Sequence, residues 1–153
     1  MANSYAGTES VAVAWLKSLG LTQVATTVPE DHTTWYTTGI VQVEKTGAVV
    51  DPFLKLRSNV ITCHVWAARQ DRNAQNPPWN QANQIAELIS DACYDSSKSV
   101  NIGLTLPASL GSLPVKVLSA WLIQDPTRAP SDEQFMAHYV LDLQISWVQL
   151  PAN

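Results

Sequence analysis

The sequence predicts an α+β fold. A four-stranded, mostly antiparallel sheet carries two helices on one face, in the order α-β-β-α-β-β. Three observations predict it. A long C-terminal segment alternates apolar and polar residues with period two; two β-rich segments follow one another with no helical pattern between them; two further segments repeat apolar residues at helical spacing. Antiparallel strands with both helices on one face meet the burial needs of every element. The 153 residues match a common domain size, so 1–153 reads as a single domain with its core from about residue 9 to 150.

Taken in order, Glu9 to Leu19 places Val11, Trp15, Leu16 and Leu19 on one helical stripe, with Thr8 as the expected N-cap and Gly20 as the left-handed stop. Residues 22–34 read as a connector around Pro29, Glu30, Asp31 and His32. Trp35 to Lys45 is the first expected strand, and 46–56 a loop with Gly47 and the Asp51-Pro52 turn signal. Arg57 to Ala67 is the second strand, with Ile61, Cys63, Val65 and Ala67 on one face and Val60, Thr62, His64 and Trp66 on the other. A polar loop, 68–78, leads to a second helix for which Asn76 is the expected N-cap and Pro77 the first helical residue. Ala82, Ile85, Ala86, Ile89, Ala92 and Cys93 form its apolar face. Asp95 to Pro114 reads as irregular, Val115 to Ile123 as the third strand, and the Asp125-Pro126 region as a turn. In the last strand, near Gln134 to Leu150, Tyr139, Leu141, Leu143, Ile145 and Trp147 alternate with His138, Val140, Asp142, Gln144 and Ser146.

Charge is sparse. Only 14% of residues are Asp, Glu, Lys or Arg, against about a quarter in ordinary soluble domains, and the net charge is −4. The nine Lys and Arg residues are scattered, which argues against a phosphate-gripping surface. No stretch approaches the ~20 apolar residues of a membrane span, and MANSYAGTES has no signal-peptide pattern. Cys63 and Cys93 fit no zinc spacing and fall on inward positions, as buried thiols suited to a reducing compartment.

No motif for catalysis emerges, and no cofactor or metal is expected. There is no nucleophile elbow, phosphate loop or dinucleotide fingerprint. Cys63 and His64 are strand neighbours and point to opposite faces. His64 and His138 would share the open sheet face if their strands pair; surface or interface histidines are the favoured reading over a metal or acid–base pair. Asp91, Asp95, Asp125 and Asp132 read as solvated. Trp15, Trp121 and Trp147 are assigned to the core, while Trp35, Trp66 and Trp79 flank loops and divide evenly between core caps and interface.

The arrangement resembles the tail terminator (tail completion) proteins of long-tailed bacteriophages. The resemblance rests on the first helix ending in Val13-Ala14-Trp15-Leu16-Lys17-Ser18-Leu19, on Ile40-Val41-Gln42-Val43 before Thr46-Gly47-Ala48-Val49-Val50-Asp51, on His64-Val65-Trp66-Ala67, on the alanine-rich helix, and on Tyr139-Val140-Leu141-Asp142-Leu143. In such proteins the second strand often ends in a V-W-A-like run before the helix. The long 95–114 region departs from that pattern. The resemblance implies a non-enzymatic virion protein, assembled in the host cytoplasm. Six copies would form a ring on the head-proximal end of the tail tube, stop tube growth and dock the head connector, and genomic DNA would pass through unread. The expected interface residues are His64 and Trp66 on the open sheet face, Asp51 and Phe53 in one loop, and Arg69, Asp71 and Arg72 in the other. Another neck or head–tail joining protein, a dimeric interaction module and a small-molecule or metal-binding domain using His64 and His138 stand as alternatives.

Overall fold

A computed structural model describes residues 7–50, 56–131 and 133–151. The helices are α1 (Thr8–Ser18), α2 (Trp79–Tyr94) and the short α3 (Ser96–Ser99). The strands are β1 (Val24–Ala25), β2 (Ile40–Val50), β3 (Arg57–Ala68), β4 (Val100–Thr105), β5 (Pro114–Arg128) and β6 (Met136–Gln149). They form one six-stranded sheet in the order β1-β2-β3-β6-β5-β4, parallel only at β1–β2. The α+β class and the helices on one face stand; the strand number is six rather than four.

β6 explains the architecture. It pairs with β3 on one side and β5 on the other, so its alternation is written across the middle of the sheet. Tyr139, Leu141, Leu143, Ile145 and Trp147 are all buried on the helix side, as are Ile61, Cys63, Val65 and Ala67 of β3. Val11, Ala12, Trp15 and Leu16 of α1 and Ala82, Ala86, Ile89 and Ala92 of α2 close over them. The alanines let α2 lie near the sheet, since a side chain ending at Cβ holds the helix backbone off by little.

Both extra strands lie at the margins. β1 is two residues long and reaches its parallel partner by a crossover through a 3₁₀ turn, His32–Thr34, which Asp31 caps by accepting from the Thr33 N–H at 3.0 Å. β4 lies in the segment expected to be irregular; Ile102 and Leu104 lean on the core while Val100, Asn101, Gly103 and Thr105 are exposed. Trp15 fastens this edge to α1 by donating from Nε1 to the Lys98 carbonyl at 2.9 Å.

Several boundaries move for identifiable reasons. The first long strand starts at Ile40, not Trp35, after Gly39 turns the chain with φ +71°. A Cβ at Gly39 would also sit 3.0 Å from the Trp66 carbonyl oxygen. Residues 46–50, expected as loop, continue β2 past a bulge between Lys45 and Gly47. The Asp51-Pro52 turn signal lies outside the described residues. α2 starts at Trp79 rather than Pro77, because a residue that precedes proline is kept out of helical backbone and Pro77 precedes Pro78. β5 runs through Asp125-Pro126 to Arg128; the register skips between Gln124 and Thr127, so Pro126 occupies a bulge where its missing N–H costs no ladder bond.

Thr8 is not a side-chain cap. Gly7 holds the N-cap position of α1, and the Thr8 hydroxyl turns into the core, accepting from Asn59 Nδ2 at 2.9 Å and Trp147 Nε1 at 3.2 Å. One oxygen thus satisfies two buried donors from β3 and β6. Gly20, by contrast, takes φ +99° just past the helix, as its position in the sequence predicts. Thr8→Val keeps the shape and strands both donors. At about 1–3 kcal/mol for each buried group left unpaired, it is expected to lower unfolding free energy by about 2–6 kcal/mol, measured by urea denaturation against wild type.

Candidate functional site

The face of the sheet away from α1 and α2 holds the polar half of each alternating strand. Its strands are pinned to one another by side chains. Thr62 donates to Asp142 at 2.7 Å and meets Thr46 at 3.2 Å. Ser58 meets Ser146 at 3.0 Å, and Gln144 donates to Ser58 at 2.7 Å. Val60, Trp66 and Val140 lie half-buried on the same face, so it is mixed rather than purely polar.

The register pairs Trp66 with His138 and His64 with Val140. This brings the two histidines together as their sequence positions predict. His64 Nδ1 lies 2.9 Å from His138 Nε2, and His64 Nε2 lies 3.1 Å from Glu44 Oε2 on β2. His138 Nδ1 faces the Pro130 carbonyl oxygen at 3.4 Å. The Trp66 indole stacks on the His138 ring, centroids 3.7 Å apart and planes within 7°. Burial pushes the His138 imidazole below its ordinary value, and the nearby His64 lowers it further, against a raising effect of the Pro130 contact. Among the described residues no three His, Cys, Asp or Glu side chains converge as a metal site.

A second apolar cluster closes one end of this face. Trp35, Ile40, Ala68 and Phe135 are buried there, with Trp66 and Met136 packed against them. Trp35 is therefore a core residue of this smaller cluster. The loop after β3 is tied to it: His32 Nε2 contacts the Gln70 carbonyl at 2.9 Å, and the Arg69 N–H donates to the Phe135 carbonyl at 2.9 Å. Arg69 Nε donates to the Asn76 carbonyl at 3.0 Å, Asp71 accepts from the Asn73 N–H at 2.9 Å, and Arg72 lies over the Phe135 ring at 5.8 Å. Arg69, Asp71 and Arg72 are exposed, at one end of β3 beside the His64–Trp66 row. Asp51 and Phe53 lie outside the described residues. The hairpin end at Val50 and Arg57 is the far end of β3, about 35 Å away for a strand of this length. The described interface candidates, His64, Trp66, Arg69, Asp71 and Arg72, thus lie together toward one end of β3.

Trp121 corrects the sequence reading. It is 58% exposed on the open face, not in the core. A bulge between Val117 and Ser119 inserts Leu118, so the inward series runs Val115, Val117, Ala120. The indole is nonetheless fixed, because Nε1 donates to Gln144 Oε1 at 3.0 Å. Ile123, 51% exposed, follows it at the next bulge. Trp79 stands at the start of α2, edge-on to Tyr139 and under the Arg128 guanidinium at 4.4 Å.

The His138 environment has a pH signature. A folded-state value below the ordinary 6.5 means the fold disfavours the charged ring. This stabilising preference is complete above the unfolded value and is lost as pH falls through it towards the folded one. The His138 contribution to unfolding free energy is expected to fall as pH drops below the ordinary 6.5, read as a weaker acid-side pH dependence in His138→Gln by denaturant titration.

Comparison with known proteins gives structural likenesses and no sequence relative. No protein-family profile matches the chain, and no curated protein sequence matches it. Among solved structures, a chain of the virion of a native gene transfer agent particle superposes with a TM-score of 0.51 at 14% identity, covering 88% of this chain and 84% of that one. The likeness is one of fold.

Proposed function

We propose that this chain is a structural component of a phage-like virion and, within it, a tail terminator. Six copies ring the head-proximal end of the tail tube, end its growth and present a docking face to the head connector. The observation that carries the reading is the fold shared along nearly the whole length of a chain from a gene transfer agent virion. The arrangement of sequence elements that resembles tail terminators supplies the narrower role.

The surface supports assembly rather than chemistry. The two ends of β3 are far apart and can address different partners, the tube on one side and the connector on the other. The sheet face between them carries a rigidly held, exposed Trp121, and aromatic anchors of this kind dominate protein interfaces. In a closed ring each subunit offers one surface to its neighbour and receives another. A net charge of −4 leaves passing DNA without an attractive wall.

Two experiments test this. Phage tails assembled without the protein are expected to be over-long by electron microscopy; tails of normal length would end the terminator reading and favour a neck protein that contacts only the connector. Trp121→Ala is expected to leave the monomer's melting temperature nearly unchanged, because the ring is exposed. It should weaken ring formation by about 1–3 kcal/mol per interface, read by light scattering over a concentration series. Unaltered assembly would remove the sheet face from the interface.

A further inference from the structure

From donor counting, we propose that His64 and His138 form a charged clasp: an imidazolium on His64 bridging the neutral His138 ring and the Glu44 carboxylate, which fastens β2, β3 and β6 on the open face. The proposal is independent of the ring reading.

The count begins at the two ends of the chain. The Pro130 carbonyl can only accept, so the His138 nitrogen facing it, Nδ1, carries a hydrogen. The Glu44 carboxylate, with 60% of its side chain exposed, likewise only accepts when ionised, so His64 Nε2 carries a hydrogen. The contact between the rings, 2.9 Å, needs one donor and one acceptor. Four ring nitrogens therefore hold three hydrogens, one more than two neutral imidazoles hold. The charge rests on His64. That ring touches the carboxylate, whereas His138 is 7% exposed and lies beneath the Trp66 indole. His64 Nδ1–H then donates to His138 Nε2, and every nitrogen is used.

Among the described residues on the flanking strands, the groups opposite and beside the pair are already bonded or neutral. On β6, Asp142 is held by Thr62. On β5, the positions opposite Asp142 and Val140 are Gln124 and Thr127, both neutral. Removing one proton from the clasp leaves two hydrogens for three contacts, so one of the three is lost. Adding one sets two N–H groups against each other, and the β3–β6 tether is lost. The clasp is closed only between those two states, so the open face is tightest at intermediate pH.

The test uses full-length protein labelled with ¹⁵N-histidine, with ring nitrogens read by NMR at neutral pH. The expected pattern is two protonated nitrogens on His64 and one, Nδ1, on His138. In Glu44→Gln the amide can donate instead, so His64 Nε2 is expected to lose its hydrogen at the same pH while the His138 tautomer stays. The exposed position protects the fold, checked by circular dichroism. A single N–H on wild-type His64, or a His64 spectrum unmoved by Glu44→Gln, would overturn the proposal. Saturable displacement of both ring signals by one equivalent of Zn²⁺ at micromolar concentration would also overturn it and make the pair a metal site.

Discussion

The rest of the structure depends on β6 being held on both sides in one register. Each strand that borders it inherits its alternation, so one choice of pairing fixes which side chains of β3 and β5 meet the helices. A slip of one residue would carry Leu141, Leu143 and Ile145 to the solvent face and Asp142 into the core. Burial of five large side chains from this strand alone, at about 1.5–3 kcal/mol each, opposes any such slip. The polar face adds its own check, because Thr62–Asp142, Ser58–Ser146 and His64–His138 form in the same register. Both faces thus enforce one alignment by different physics.

Departures from that regularity shape the surface. The bulges of β5 do two things at once. They bend and twist the strand, and they reverse the side-chain alternation partway along it. Val115 and Val117 face the core, yet Trp121 faces outward with its indole held by Gln144. A large aromatic side chain on a sheet face is costly in water unless a partner covers it. Its fixed orientation removes part of the entropy that binding would otherwise cost. The bulge is therefore the local event that turns a core-like sequence outward as an exposed aromatic surface.

The open face is divided along its length. At one end Trp35, Ile40, Ala68 and Phe135 form a small second core that anchors the loop bearing Arg69, Asp71 and Arg72. Beside it, the histidines occupy a half-covered zone where Trp66 limits water on one ring and Glu44 meets the other. Further along lie Ser58, Ser146, Gln144 and Val60, with Trp121 exposed beside them. The face thus grades from covered to exposed along its length. The fold is shared with a chain of a gene transfer agent virion.

The sequence by itself determined what strict periodicity encodes: the α+β class, the inward faces of β3, β6 and α2, the stop at Gly20, and the placement of His64 and His138 on one face. These follow from the two-residue and 3.6-residue repeats, which are local and self-consistent. Tertiary structure decided the rest. β1 is two residues long and exists because β2 offers it an edge; β4, which carries Asn101 at φ +55°, exists because β5 does. Thr8 has the chemistry of a cap, but two buried donors from distant strands claim its hydroxyl. Trp121 sits in an apolar run whose phase only the bulge reveals, since whether a strand inserts a residue depends on the partner it must match. The proton count at His64 and His138 likewise needs Glu44 and Pro130, from two other segments, brought within hydrogen-bonding distance by the sheet.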